Sequence, residues 1–270
     1  MASLAPKFSR QSIEFLRKAS RQKKEDWLDQ NRESFEELVR GPLTNLAVTL
    51  AKHLRPHAPG YHFPSKGLGR LKRSSIRAQE HGSFFRSYVS FTITRPSASR
   101  FDHNPSVFFM INSEDDEGDE VLLAGGLYMP SSRQLRAVRE RISENPEPFE
   151  KLFRDKAFRA HFPHGFSDER MATRPPRGFD PNHTHIDWLK RQGFFVWRSY
   201  KAKDYASPKF PERVAKDARQ ILRLNELLEQ AITGRWPEKQ TALEKRPRSP
   251  ASPSLETLGE GKVRLHTPDF

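Results

Sequence analysis

The chain has 270 residues, 35% of them hydrophobic and 30% charged, with a formal net charge of +13. It contains no cysteine, which excludes disulfides, thiolate metal sites and a thiol nucleophile and gives no reason to expect secretion. The opening M-A-S-L-A-P-K-F-S-R-Q lacks an apolar signal core and no apolar run reaches bilayer length, so a soluble protein of the cytoplasm, with no membrane partner, is expected.

In chain order, Phe8 to Ala19 sets Phe8, Ile13, Phe15, Leu16 and Ala19 on an imperfect helical stripe, with Ser9 or Ser12 available as cap. From Trp27 through Phe35, Val39, Leu43, Leu46 and Leu50 to Leu54, apolar residues recur at threes and fours, which predicts a longer helix that Pro42 kinks or restarts. Pro56 to Lys66 is rich in proline and reads as a loop. His53, His57 and His62 lie near one another, but no carboxylate stands among them and their spacing is not that of a zinc site; no metal or other cofactor is expected.

Gly67 to Phe91 carries Arg70, Lys72, Arg73, Arg77 and Arg86, and from Phe84 to Thr94 it alternates like a strand. Cationic side chains held beside rigid sheet make an anion-binding surface. Val107 to Ile111 and Val121 to Met129 are two further strands, and the acidic run E-D-D-E-G-D-E between them reads as a solvated hairpin loop. Gly125-Gly126 inside an apolar run points to a bulge or a close backbone approach.

Pro130-Ser131-Ser132 caps a helix carrying Leu135, Val138 and Ile142, whose exposed face bears Arg133, Arg136, Arg139 and Arg141. Glu150 to Phe162 is another short helix. The turn R-P-P-R-G-F-D presents Arg174 and Arg177 on a backbone stiffened by two prolines. His183 and His185, two positions apart, do not share a helix face, so a metal pair would need extended backbone there. A helix begins near Trp188 and Leu189, F-F-V-W-R-S-Y resumes strand character, and Val214 to Ile232 is an amphipathic helix. Beyond Gly234 the composition shifts to Pro, Ser, Lys, Arg and Glu, which predicts a disordered tail.

The fold expected from these elements is α+β: a single domain, residues 1–234, with a mostly antiparallel sheet flanked by N-terminal and C-terminal helices, followed by the tail 235–270. From Arg235 onward there are seven basic and five acidic residues, leaving 40 basic against 29 acidic, an excess of +11, in the domain. A field of that sign attracts nucleic acid, anionic membrane or an acidic metabolite, and of these nucleic acid or a phosphorylated small molecule is the partner expected.

Several stretches, taken in order, resemble a known family: F-S-R-Q-S-I-E-F-L, W-L-D-Q-N-R-E-S-F-E, the strand end G-G-x-Y-x-P, and R-P-P-R-G-F-D followed by I-D-W-L-K. Together they are similar to the bacterial and fungal conserved hypothetical family catalogued as domain of unknown function 2461, over most of Phe8 to about Ile232. The family signature is R-x-x-R-D-x-R-F-x-x-x-[DN]-K-x-x-Y. By this resemblance its two leading arginines fall on Arg70 and Arg73, its Asp position is Ser74, and its next Arg is Ile76 or, after a shift, Arg77. Its Lys has no equivalent near His81 and Gly82, and its Tyr corresponds to Phe85, with Arg86 following. If those missing groups perform chemistry in the family, this chain keeps only anion binding. If they form an ion-pair network, losing Asp and Lys together leaves no orphan charge.

The resemblance names no reaction. As a binding protein the chain would grip phosphate with Arg70, Arg73, Arg77 and Arg86, joined by Arg174 and Arg177, while Phe84, Phe85 and Tyr88 would stack bases if exposed. As an enzyme it would draw on His81, Asp102, His103, Asp180, His183 and His185, none of which has the spacing of a triad, a phosphate loop or a dinucleotide fold. The residues leave the question of catalysis open, and an interaction with an acidic protein is a third reading.

Overall fold

Four strands make the sheet, β1 (Tyr88–Thr94), β2 (Ser106–Asn112), β3 (Glu120–Leu127) and β4 (Phe194–Ser199), with burial alternating along β1 and most of β2. The computed structural model, which describes residues 7–97, 102–113 and 120–235, joins them in the order β1-β2-β3-β4 with every pair antiparallel. Contacts divide the chain after Glu238, and all the described residues precede that division. The acidic run at 114–119 and the tail beyond Arg235 lie outside the described residues.

The helices are α1 (Arg10–Ser20), α2 (Trp27–Gln30), α3 (Arg32–Phe35), α4 (Gly41–Leu54), α5 (Ser75–His81), α6 (Ser132–Glu144), α7 (Glu147–Arg154), α8 (Lys156–His161), α9 (Ile186–Leu189), α10 (Ala202–Tyr205) and α11 (Phe210–Thr233). Ser9 caps α1, and its backbone N–H donates to Ser12 Oγ at 3.0 Å. Between α3 and α4 a π turn, Glu36–Arg40, leads into the Gly41-Pro42 start of α4. Proline has no N–H to return to the preceding turn, and the wider turn takes up that mismatch without ending the helix. Ser131 begins α6 by accepting from Gln134, whose side chain accepts in turn from the Ser131 N–H at 3.0 Å.

Several boundaries differ from the sequence expectation: the stretch expected as one helix from Trp27 to Leu54 is broken into α2, α3, the π turn and α4, and α5 was not expected. The stretch expected as one helix from Glu150 to Phe162 is two, because Asp155 turns to extended backbone and caps α8 through the Phe158 N–H at 2.8 Å. Phe84 to Ser87 does not continue β1; Arg73 and Arg86 instead exchange backbone hydrogen bonds with Phe84 and Leu71, pairing Lys72 with Phe85. Between those segments stands α5, closed by Gly82 at φ 65.

One face of the sheet carries Val89, Phe91, Ile93, Val107, Phe109, Ile111, Val121 and Leu123, all buried. Phe109 is the centre of an aromatic cluster, 5.9 Å from Phe8, 5.5 Å from Phe91 and 6.3 Å from Phe210. The long helix α11 lies on this face and comes so close that a Cβ at Gly125 would collide with Ile221 and stand 2.6 Å from the Ser106 carbonyl. This is the close approach that Gly125-Gly126 foreshadowed, and the ladder passes through both glycines without a bulge. A second aromatic cluster, Phe149, Phe153, Phe158, Phe166 and Trp188, ties α7, α8 and α9 together.

Candidate functional site

Among the described residues the other face of the sheet is left open. Strand alternation and the register put Phe108, Met110, Leu122, Ala124, Gly126, Phe195 and Trp197 there, and they floor a recess of about 750 Å³. Strands apolar on both faces ordinarily have both faces covered. Here V-F-F-M-I and V-L-L-A-G-G-L are apolar at both parities, yet Phe108, Met110, Leu122 and Ala124 stay only partly buried and Trp197 is 48% exposed.

A second recess of about 560 Å³ adjoins the first, sharing Ser106 and Tyr128, and carries polar groups: Thr92, Thr94, Arg95, His62, Asp102 and His103. Tyr128, 47% exposed, stands edge-on to Phe195 at 4.9 Å and donates to Glu169 at 3.1 Å. The Trp197 indole N–H donates to Ser167 Oγ at 3.2 Å, so this ring too is held in one orientation. Arg170 lies over the Tyr128 ring at 5.2 Å, and Arg86 over Tyr88 at 5.7 Å. Among the described residues neither guanidinium has a carboxylate partner. Arg95 covers Tyr61 at 5.1 Å and stands 3.2 Å from Glu229. Burial, and then the hydrogen bond to Glu229, push the Tyr61 phenol far above its ordinary range.

None of the six arginines named from sequence lines either recess. Arg70 and Arg77 are exposed beside and on α5. Arg73 donates to the Phe85 carbonyl at 2.6 Å, a structural tie across the base of the α5 loop. Arg174 and Arg177 are exposed in a loop that joins the chain ahead of β4 through the Met171–Arg191 bridge. The α5 group is therefore attached near β1 and the second pair near β4, the two outer strands, and only Arg86 reaches the open face through Tyr88. Of the aromatic residues expected to stack, Phe85 is fully buried against Trp27 at 5.7 Å and cannot serve, Phe84 packs partly buried against the core, and Tyr88 is half-buried.

The enzyme candidates are mostly engaged elsewhere. Asp102 accepts from Ser131 at 2.8 Å and pairs with Arg133, and those two groups hold its carboxyl below the usual carboxylate range. His103 shares that recess, whereas His81 is exposed at the end of α5. His185 meets Glu150 at 2.7 Å and stacks on Trp188, while His183 spans the His185 N–H and the Ser143 carbonyl. Asp180 accepts from the Asn182 N–H at 2.9 Å. On α6, Arg136 and Arg141 pair with Glu140 and Glu144, and Arg139 donates to the Arg191 carbonyl at 2.8 Å.

Sequence reasoning missed the carboxylate of Asp217, 1% exposed on α11, which accepts from Tyr200 at 2.6 Å and Arg198 at 3.1 Å and pairs with His161. Burial, then the Asp217 charge, raise the Tyr200 phenol well above its ordinary value. Its position between Val214 and Ala218 on the apolar stripe was a legible signal. The group joins α11 to β4 and α8 and opens into neither recess.

A family model described as a conserved hypothetical protein, DUF2461, matches residues 11–226. No curated protein and no solved structure matches the chain. Since the family match takes in all four strands and both recesses, the protein belongs to this family of conserved hypothetical proteins, DUF2461.

Proposed function

We propose that this is a binding protein for a phosphate-bearing or otherwise anionic ligand whose apolar part lies on the open face of the sheet. The observation that carries this reading is the apolar second face of β2 and β3, a recess of about 750 Å³, with Arg170 over the lining residue Tyr128 and Arg86 over Tyr88 on the same side of β1, neither of them paired with a carboxylate among the described residues. Its volume is within the range of small-molecule sites. Apolar floor supplies desolvation, and Arg86 and Arg170 supply charge-assisted hydrogen bonds at the rim. Arg70 and Arg77, exposed and positive, add to the field that draws an anion toward the β1 side.

The test is a fluorescence titration with anilinonaphthalene sulfonate, an aromatic anion that brightens in apolar surroundings. Ala124→Trp fills the floor opposite Phe108 and Trp197 and is expected to weaken the probe about tenfold, with the melting temperature held within a few degrees. Full affinity in that variant, with loss in Arg70→Ala/Arg77→Ala instead, would sink the open-face reading and move the site to the basic segment.

A further inference from the structure

We infer that the ligand of the open face is a single-stranded nucleic acid, laid diagonally from the Arg86–Tyr88 corner to the Tyr128–Arg170 corner; this rests on the open face being the binding surface. The register places Tyr88 opposite Asn112 and Gly126, two residues before Tyr128, opposite Ser106, six residues along β2, and β1 and β3 flank β2 on opposite sides, so the two corners are more than about 20 Å apart. A compact ligand reaches one cationic corner; a linear polyanion reaches both. Between the corners lies Phe108 in the floor; Tyr128, fixed by Phe195 and Glu169, forms the second corner, and Trp197, fixed by Ser167, stands beside this line on β4.

Every base has a π face, so exposed rings of this kind accept successive bases without reading their edges, while arginines at the rim meet phosphate. The charge agrees: the whole chain carries +13, and a polyanion gains from that field along its full length. A duplex keeps its bases stacked on one another and cannot use the rings, so the surface distinguishes single from double strands. A long-chain lipid would use the apolar floor but leaves one of the two separated cationic corners without an anion.

The experiment titrates the full chain against a fluorescein-labelled oligothymidylate of about twelve residues, within the span of single-strand sites. Anisotropy is followed between about 50 and 200 mM salt, and near-ultraviolet circular dichroism checks each variant for an intact fold. Expected are binding tighter than to the matching duplex, mutual displacement with anilinonaphthalene sulfonate, and about tenfold weakening by Trp197→Ala that Trp197→Phe largely restores. Arg86→Gln and Arg170→Gln are each expected to reduce the salt slope by about 0.7. Duplex binding as tight as single-strand binding, or a Trp197→Ala variant that binds undiminished, overturns the inference. Sulfonate bound at the face with no competition from oligothymidylate overturns it while leaving the binding face intact; if neither probe binds, both readings fall.

Discussion

The Arg73 guanidinium donates to the carbonyl of Phe85, a residue with no exposed surface, and so spans the two ends of the segment that carries α5. Removing it leaves a largely desolvated acceptor, with Ser83 at 3.3 Å as the remaining donor. Arg73→Ala is therefore expected to lower stability by about 1–3 kcal/mol in urea unfolding while leaving affinity for anilinonaphthalene sulfonate unchanged. A variant of native stability with weakened affinity would assign this arginine to the ligand instead. Gly125 is a residue of another kind, chosen by space. Gly125→Ala drives a methyl group into Ile221 and toward the Ser106 carbonyl, and a loss of about 1–3 kcal/mol or more is expected by chemical denaturation. Adding Ile221→Ala should recover only part of that loss, because the backbone carbonyl stays in place.

Where α7 passes into α8, Asp155 serves as cap and as ion-pair partner of Arg223. The Arg223 hydrogen bond, then the Phe158 N–H, lower its carboxyl from the ordinary value to about 2. A carboxylate depressed in the folded state stabilises fully above its unfolded value, about pH 4, and that stabilisation fades as pH falls through about 2. Asp155→Asn keeps the cap but not the charge. Its urea midpoint is expected to trail the parent by a constant margin above about pH 4 and to converge with it toward pH 2; a margin constant to pH 2 would show that the charge does not matter. Elements were legible where local signals agreed. The helices α1, α6 and α11 combine apolar periodicity with a serine cap or, in α11, a proline in the first turn, and each strand carries β-branched or aromatic residues. The helix α5 was missed because Ala78 is its one buried residue, so it has no stripe, and only Ser74 and Gly82 mark its ends. Arginine type and spacing located a basic segment, but whether such groups converge depends on strand order, which the spacing of residues does not encode. The open face was half legible: β2 and β3 are apolar at both parities, and what the sequence withheld was which parity the helices would leave uncovered.

At the scale of the whole molecule, helix packing on one face makes the two sides of a single sheet unequal. Phe109→Ala opens a cavity among Phe8, Phe91 and Phe210 and is expected to cost about 3–5 kcal/mol. Trp197→Ala, on the open side, is expected to cost less than about 1 kcal/mol; comparable losses would mean that the open face is covered in solution. The connectivity of the sheet has a further consequence. β1, β2 and β3 are consecutive neighbours, but β4 pairs with β3 only after the intervening stretch from Tyr128 to Gly193, which carries α6 to α9. Closing that span costs more chain entropy than closing a hairpin, so the three-strand meander should assemble first and β4 should dock late. Asp217, which secures Arg198 and Tyr200 to α11, then acts after the rate-limiting barrier. In stopped-flow experiments Phe109→Ala should slow refolding, whereas Asp217→Asn should accelerate unfolding at a nearly unchanged refolding rate. A φ-value near unity at Asp217 would reverse that order and make the β4–α11 clasp the nucleus.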